Sequence, residues 1–560
     1  MIRAPTSNLY ERRAARKGFY SIAGRKLNIR PRARGRPRDR AAAVAVAPDC
    51  RYKPPRMTTA ADLEGASRAR KAFAAFLGLH FLLWTALPAL LYANLPLDLI
   101  EASVYGREWQ LGYDKLPPLP WWMVEIAYRL FGVDAAYYAM AQLCVVVAFA
   151  LVFLTAVPLV GAWRALVAIL IIDGLHYFQF TAAKFNHDVI QLPLWAAAGY
   201  AFHAGLRHRH RWHWVLLGLA VGAALWAKYF VVMLAAPLML FMLLDPDARK
   251  ALARPGPWLA LLVAIIVMVP HIYWLVANDF LPFAYVEMRA APARGLLDHA
   301  VRPLVFVLGQ LLYVLPGLLI AAPLLWRAKT AASPPAADAF DRRIVTLLAF
   351  GPAVAVVAAS AVSGRGTIAM WGYPLWLFLG LWIVLNAKAA LDAARAKWVA
   401  GLWVFVTACF ALAFVADYMV LPGIDHRPRA VLFPGAELGR EITARFRAAT
   451  DSPLVYVIGS MWDGGNVAHY SPERPQPRVL IDGLPRRAPW IDLADLAAKG
   501  AVLVWTQSDP LVVPEAFERI APGAQLGEPF DLRFHRGDNV VHVGWAILPP
   551  TRLAKLTPPP

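Results

Sequence analysis

Residues 96–122 read PLDLIEASVYGREWQLGYDKLPPLPWW. The stretch lies between two long apolar segments and carries Asp98, Glu101, Glu108, Asp114 and Lys115 among Tyr, Trp and Pro. Acidic groups beside a bilayer are costly unless they face water, pair with a cation or take part in chemistry. The rest of the chain decides among these.

Working outward, apolar stretches of spanning length, roughly 17–25 residues, fall at about 72–94, 136–159, 164–180, 188–206, 213–228, 229–244, 257–277, 301–325, 344–362, 372–388 and 398–420. The run 213–244 is too long for one helix and divides at Lys228–Tyr229. Over 560 residues, 59% are hydrophobic, 21 are Trp and the mean hydropathy is +0.47, whereas soluble domains sit nearer half apolar. The fold class is therefore an α-helical polytopic membrane protein with about eleven transmembrane helices. Cys50, Cys144 and Cys409 build neither a disulfide framework nor a metal site.

Lys and Arg set the orientation. With the N-terminus in the cytoplasm, GAWRA (161–165), RHRHRW (207–212), DPDARKALARPG (245–256), 326–343 and AKAALDAARAK (387–397) become cytoplasmic, and nearly all are basic. The loops at 95–135, 177–187, 228–229, 278–300 and 363–371 then face out, and the polar residues hardest to explain as structure cluster there. The formal charge of +20 is concentrated in one place. Residues 1–71 hold 19 Lys+Arg against 5 Asp+Glu, in an Arg/Pro/Ala-rich stretch without apolar period, read as a disordered cytoplasmic tail. Retention by anionic lipid is preferred there to nucleic-acid binding. The first apolar stretch begins too far from Met1 for a cleavable signal peptide.

Residues 421–560 change character. LVYVIG (454–459), RVLI (478–481) and AVLVW (501–505) read as buried strands, with helices at LGREITARFRAA (438–449) and WIDLADLAAKG (490–500). Together they make a small α/β domain, outside by parity. GSMWDGGN (459–466) reads as a tight Gly-rich connection. Residues 72–420 form the transmembrane domain. In its first outward loop, YGREWQLGY and WWMVEIAYRLFG read as amphipathic helices lying in the interface plane.

Asp98 and Glu101, three apart, share a helix face, and a carboxylate at the outer boundary can take a proton from an attacking hydroxyl. Lys115 with Arg365, in SGRGTIAMW, suits a phosphate leaving group. The plainer alternative has Asp98 capping a helix and Lys115 snorkelling. HYFQFTAAKFNHDVIQLPLW (176–195) packs Lys184, Asn186, His187 and Asp188 into one turn. Adjacent His187 and Asp188 are weak metal ligands without a third partner; support of the first carboxylate, or a phosphate contact through Lys184, is the better reading. Lys228 and Tyr229 make a further polar notch, where the lysine needs an anionic partner.

These motifs, in order, resemble the bacterial family 39 glycosyltransferases, of the dolichyl-phosphate-mannose protein mannosyltransferase superfamily with GT-C fold. DLIEASVYGREWQLGYDKLPPLPWW is similar to that family's first periplasmic loop. KFNHDVIQLPLWA, LWAKYFVVML, PHIYWLVANDFLPFAYV and TIAMWGYPLW resemble its later landmarks, so the likeness covers roughly 72–420. The resemblance implies a polyprenyl-phosphate-sugar donor, an extracytoplasmic hydroxyl acceptor and inversion at the anomeric carbon. It also implies a bacterial inner-membrane location, membrane lipid as partner and no nucleic acid. The family carries an adjacent Asp-Glu pair in this loop; here Ile100 precedes Glu101 and the Asp stands at 98, so Asp98 is the first candidate base and Glu101 the second. Asp114–Lys115 matches an acidic-Lys pair lying by the donor phosphate in related aminoarabinose lipid A transferases. No cofactor is called for, and a divalent metal stays open. The acceptor expected is lipid A, lipopolysaccharide core or another envelope glycolipid, with galacturonic acid and mannose both compatible as the sugar. The competing readings are a protein O-mannosyltransferase and a non-catalytic polyprenyl-lipid transporter or scaffold. A transporter should show internal repeats, and none is visible.

Overall fold

The computed structural model describes residues 60–208, 210–326 and 336–550. Most of the basic tail, residues 1–59, lies outside the described residues. Its last part does not match the expectation of disorder: α1 runs Ala60–Leu91. ASRARKAFAA (66–75) consists mostly of good helix formers, and a helix already nucleated by an apolar span propagates through them readily.

After α1 come α2 (Leu97–Gly106), α3 (Leu119–Phe131), α4 (Ala135–Val160), α5 (Ala162–Asp173), α6 (His187–His208) and α7 (Arg211–Ala227). The chain continues through α8 (Val232–Leu244), the short α9 (Pro246–Arg249), α10 (Pro255–Ala277), α11 (Pro282–Arg289), α12 (Asp298–Leu325), α13 (Ala339–Ser363), α14 (Leu379–Asn386) and α15 (Ala393–Val415). Among the described residues, six helices are long and apolar enough to cross a membrane: Leu63–Leu91, Ala135–Val160, Pro255–Ala277, Asp298–Leu325, Ala339–Ser363 and Ala393–Val420. The other expected segments are shorter or more polar. The 213–244 run breaks at Lys228, as its length requires. Segment 164–180 stops being helical at Asp173, and 372–388 yields only the eight residues of α14. Gly174 and Gly372-Tyr373-Pro374 interrupt the pattern there. Tyr177, Phe178, Tyr373 and Leu375 are almost wholly buried, so this irregular backbone is shielded from lipid by the surrounding helices.

The first loop departs from expectation in one respect. WWMVEIAYRLFG does form a helix, α3, but YGREWQLGY does not; LDLIEASVYG takes the helix instead, as α2. Gly112, Pro117 and Pro118 keep the segment between α2 and α3 irregular. Gly106 lets α2 and α3 touch: a Cβ there would stand 2.2 Å from the Trp121 carbonyl oxygen.

Beyond the short α16 (Pro422–Asp425), the C-terminal region builds α17 (Gly435–Thr450), β1 (Tyr456–Gly459), α18 (Asp463–Tyr470), β2 (Arg478–Ile481), α19 (Leu493–Lys499), β3 (Ala501–Trp505) and α20 (Glu515–Ile520). Strands β4 (Gln525–Leu526), β5 (Phe530–Arg533) and β6 (Val540–Leu548) complete it. The sheet order is β2-β1-β3-β6-β4, with β5 pairing β6. β1 pairs parallel with β2 and β3, as βαβ crossovers require, and β6 closes antiparallel on β3. The α/β character matches the sequence reading, although β4–β6 carry no buried apolar run at their start and escape it. GSMWDGGN is more than a connection, because α18 begins within it at Asp463. Met461, Ala468, Val479 and Ile481 share one apolar core with Leu99, Ile100 and Val104. Gly465 makes that docking possible: a Cβ there would lie 2.6 Å from Ile100 Cγ2.

Candidate active site

Five separated segments and α2 surround one cavity of about 580 Å³. Asp98 and Glu101 come from the first turns of α2, Lys115 from the loop after it and Lys184 to Asp188 from the turn before α6. Lys228 and Tyr229 enter from the break between α7 and α8. The side chains meet as three lysine–carboxylate pairs. Lys115 Nζ stands 2.7 Å from Glu101 Oε2, Lys184 Nζ 3.0 Å from Asp98 Oδ2 and Lys228 Nζ 2.6 Å from Asp188 Oδ1.

Asn186 fixes the geometry of two elements together. Its Oδ1 accepts from the backbone N–H groups of Asp188 and Val189, each at 3.0 Å, capping α6. Its Nδ2 donates to Asp98 Oδ2 at 3.0 Å. His187 meets the Trp121 ring edge-on, and its buried Nε2 has no hydrogen-bond partner. Tyr229 is held from behind by His271, whose Nε2 lies 2.8 Å from the phenol and whose Nδ1 lies 2.6 Å from the Leu111 carbonyl.

The two carboxyls of α2 are driven apart. Burial pushes each up. At Asp98 the Lys184 charge and the Asn186 and Lys184 hydrogen bonds together outweigh it, and the group sits below its ordinary 3.8. At Glu101 burial prevails over Lys115, helped by the charges of Asp98 and Asp114, and the group sits above its ordinary 4.5. Pairs of carboxyls separated in this way mark acid–base assignments. Asp98 keeps 37% of its side-chain exposure, so it faces the hollow.

Two expected members of the donor site stand elsewhere. Asp114 accepts from the Tyr105 hydroxyl at 2.6 Å and from Arg487 at 2.9 Å, joining the loop to the C-terminal domain. Lys115 lines the cavity while Asp114, next to it in the bend, turns to Tyr105 and Arg487. Arg365 gives its guanidinium to the Ala290 carbonyl at 3.1 Å and does not line the cavity. Tyr285 and Arg289 of α11 line it instead, and the sequence reading missed both. The available signal was an arginine in an outward loop, against the positive-inside trend. Among the described residues no group of three or more His, Cys, Asp or Glu side chains is set to hold a metal ion.

A family model, "Dolichyl-phosphate-mannose-protein mannosyltransferase", matches residues 115–274. The lipopolysaccharide core galacturonosyltransferase RgtA of Rhizobium johnstonii is 28% identical over 528 residues, covering 88% of this chain and all of that protein. The lipid A galacturonosyltransferase RgtD of the same organism is 27% identical over 181 residues, 31% of this chain and 37% of its own length. Among solved structures, ArnT from Cupriavidus metallidurans bound to undecaprenyl phosphate superposes with a TM-score of 0.58 at 15% identity, over 87% of this chain and 99% of that one. Fold and likeness together make this chain a multi-pass membrane glycosyltransferase with the fold of ArnT.

Proposed function

We propose that the chain moves a sugar from a polyprenyl-phosphate donor to a hydroxyl of lipid A or lipopolysaccharide core, at the outer face of a bacterial inner membrane. The observation that carries this reading is the ring of three lysine–carboxylate pairs around one hollow. RgtA and RgtD are named for transfer of galacturonic acid to such acceptors, and ArnT was captured with undecaprenyl phosphate. The N-terminus is then cytoplasmic and the C-terminal domain periplasmic.

The step is a single displacement. The acceptor oxygen bonds to the anomeric carbon as the carbon–phosphate oxygen bond breaks on the opposite side, which inverts the centre. The acceptor proton passes to Asp98, and polyprenyl phosphate leaves as its anion. Asp98 is favoured over Glu101 because its neighbours hold it as the carboxylate a base must be. Its Oδ2 is occupied by Lys184 and Asn186, leaving Oδ1 for the acceptor. Lys115 and Lys228 exchange their carboxylate partners for the donor phosphate and stabilise charge as it develops. Lys184, Asn186, His187, Asp188 and Tyr229 orient the pocket. The sugar we assign is galacturonic acid. Arg289, without a carboxylate partner among the described residues, supplies a planar guanidinium for a second anion on the donor.

Mass spectrometry of lipid A and core from a deletion strain tests this. The expected result is loss of one hexuronic acid, restored by the wild-type chain and not by Asp98→Asn. Unchanged lipid A and core after deletion would reject the reading.

A further inference from the structure

A second cavity, of about 610 Å³, opens where the first loop meets the C-terminal domain. Arg107 and Arg129 reach it from the loop, and Arg474, Arg478 and Lys499 from the domain. Tyr128 and Tyr456 add ring faces. Guanidinium, carboxylate and phenol groups make such a wall suited to saccharide rather than to an acyl chain.

Charge in this wall is not balanced. Arg129 pairs with Glu125 at 2.7 Å and Lys499 with Asp495 at 2.8 Å. Arg107 and Arg478 share the buried Glu108, at 3.9 and 3.4 Å. Glu473 also lies in the wall, but Arg447 from outside the cavity neutralises it at 2.6 Å. Among the described residues, Arg474 donates to the backbone carbonyls of Ser471 and Glu473 and to no carboxylate. Five cations therefore face three carboxylates that are not already neutralised from elsewhere. The excess is reachable, since Arg129, Lys499 and Arg478 keep 61%, 50% and 45% of their side-chain exposure.

The two cavities are tied by one helix. Asp98 sits in the first turn of α2 and Arg107 caps its end, which at 1.5 Å per residue separates them by about 14 Å. An acceptor carrying more than its reacting sugar has to place the remainder somewhere beyond the first cavity.

We propose that the second cavity is a subsite for an anionic saccharide of the acceptor, recognised through phosphate or carboxylate groups by these guanidinium and ammonium ions. This rests on the transfer reading above. Arg129 and Lys499 approach from opposite walls and are themselves exposed, each in an i,i+4 pair; because Glu125, the partner of Arg129, is buried, the apparent Tm of the variant is measured beside its kinetics. The full chain and its Arg129→Gln/Lys499→Gln variant would be compared on two acceptors: the intact glycolipid, and one trimmed of its acidic groups but retaining the acceptor hydroxyl. The expected result is a roughly tenfold fall in the ratio of kcat/KM for intact over trimmed acceptor, carried by KM, as for weakening contacts to a solvent-screened anion. An equal fall on both acceptors, or no fall, overturns the subsite.

Should the wild-type chain transfer to neither acceptor, the transfer reading fails by itself. Binding of the isolated acidic oligosaccharide then decides the subsite separately: tighter binding to wild type than to the variant at low salt supports it, and equal binding overturns it. Dephosphorylated and carboxyl-reduced oligosaccharides name the anion. Loss of the variant-sensitive binding with either one supports the subsite, and retention with both overturns it.

Discussion

Two charged clusters sit in two regions of the helical bundle, and they use their carboxylates differently. In one, Asp341 is fully buried. Its Oδ1 accepts from His203 at 2.9 Å and Arg207 at 2.7 Å, while Oδ2 takes a second Arg207 N–H and the Asp338 backbone N–H. In the cavity, Asp98, Glu101 and Asp188 each engage lysine through one oxygen, and the other oxygen has no hydrogen-bond partner among the described residues. A saturated buried carboxylate fixes the positions of the helices around it. A half-used one beside an open hollow keeps capacity for a substrate. The same residue types are thus a staple in one region and a poised site in the other.

The largest expected effect tests that division directly. Asp98→Asn keeps the side chain's shape and its contact with Lys184, yet removes the proton acceptor. Transfer should fall about a thousandfold, the range for loss of a general base, with the apparent Tm held within a few degrees. If Asp98→Asn transfers normally while Glu101→Gln does not, the base is Glu101 and the comparison must be redrawn. At the saturated cluster the effect should reverse. Arg207→Met leaves the buried Asp341 with only His203 and the Asp338 backbone N–H of the partners named above, which should cost about 3 kcal/mol or more. That is read as a lower apparent Tm in thermal unfolding, with turnover per folded molecule unchanged. A turnover defect in a fully folded Arg207→Met protein would break the contrast. Smaller again, Lys115→Gln should lower kcat about a hundredfold, as for loss of one donor aimed at developing charge. It should also release Glu101, so restoring some activity by adding Glu101→Gln would show that the pair trades partners during turnover.

Much of this arrangement was legible in the chain, for definable reasons. Apolar length and basic loops gave a polytopic helical protein, and short buried runs gave the strands β1, β2 and β3. The polar residues of the outward turns pointed to one region because helical spans allow them few other places to go. Pairing was not legible. Lys228 and Asp188 are 40 residues apart and Asn186 and Asp98 are 88 apart, and nothing local to either residue selects its partner. Local adjacency even misled, since Asp114 stands beside Lys115 in the chain but faces Arg487. His271 was hidden in the span PHIYWLVA, where its contacts with Tyr229 and Leu111 have no sequence signature. α2 replaced the expected helix at YGREWQLGY because docking of Ile100 and Val104 under α18 favours the upstream register, a tertiary preference that local pattern does not contain.

The smallest expected effect is a shift along the pH axis, and it separates the two carboxyls of α2. A base works only when deprotonated. Asp98, held below its ordinary 3.8, stays deprotonated as pH falls, so its acid limb in kcat/KM should lie below that value. Glu101, held above its ordinary 4.5, would place the limb above that value if it were the base. The profile of kcat/KM against pH in wild type and in Glu101→Gln distinguishes them. With Asp98 as base, activity persists through pH 4.5 in both, apart from a uniform drop in the variant as Lys115 loses its anchor. A limb above 4.5 that disappears in Glu101→Gln would transfer the role to Glu101. In that case Asp98, Lys184 and Asn186 would form a bracket for α6, closer in kind to the Asp341 cluster than to a reacting group.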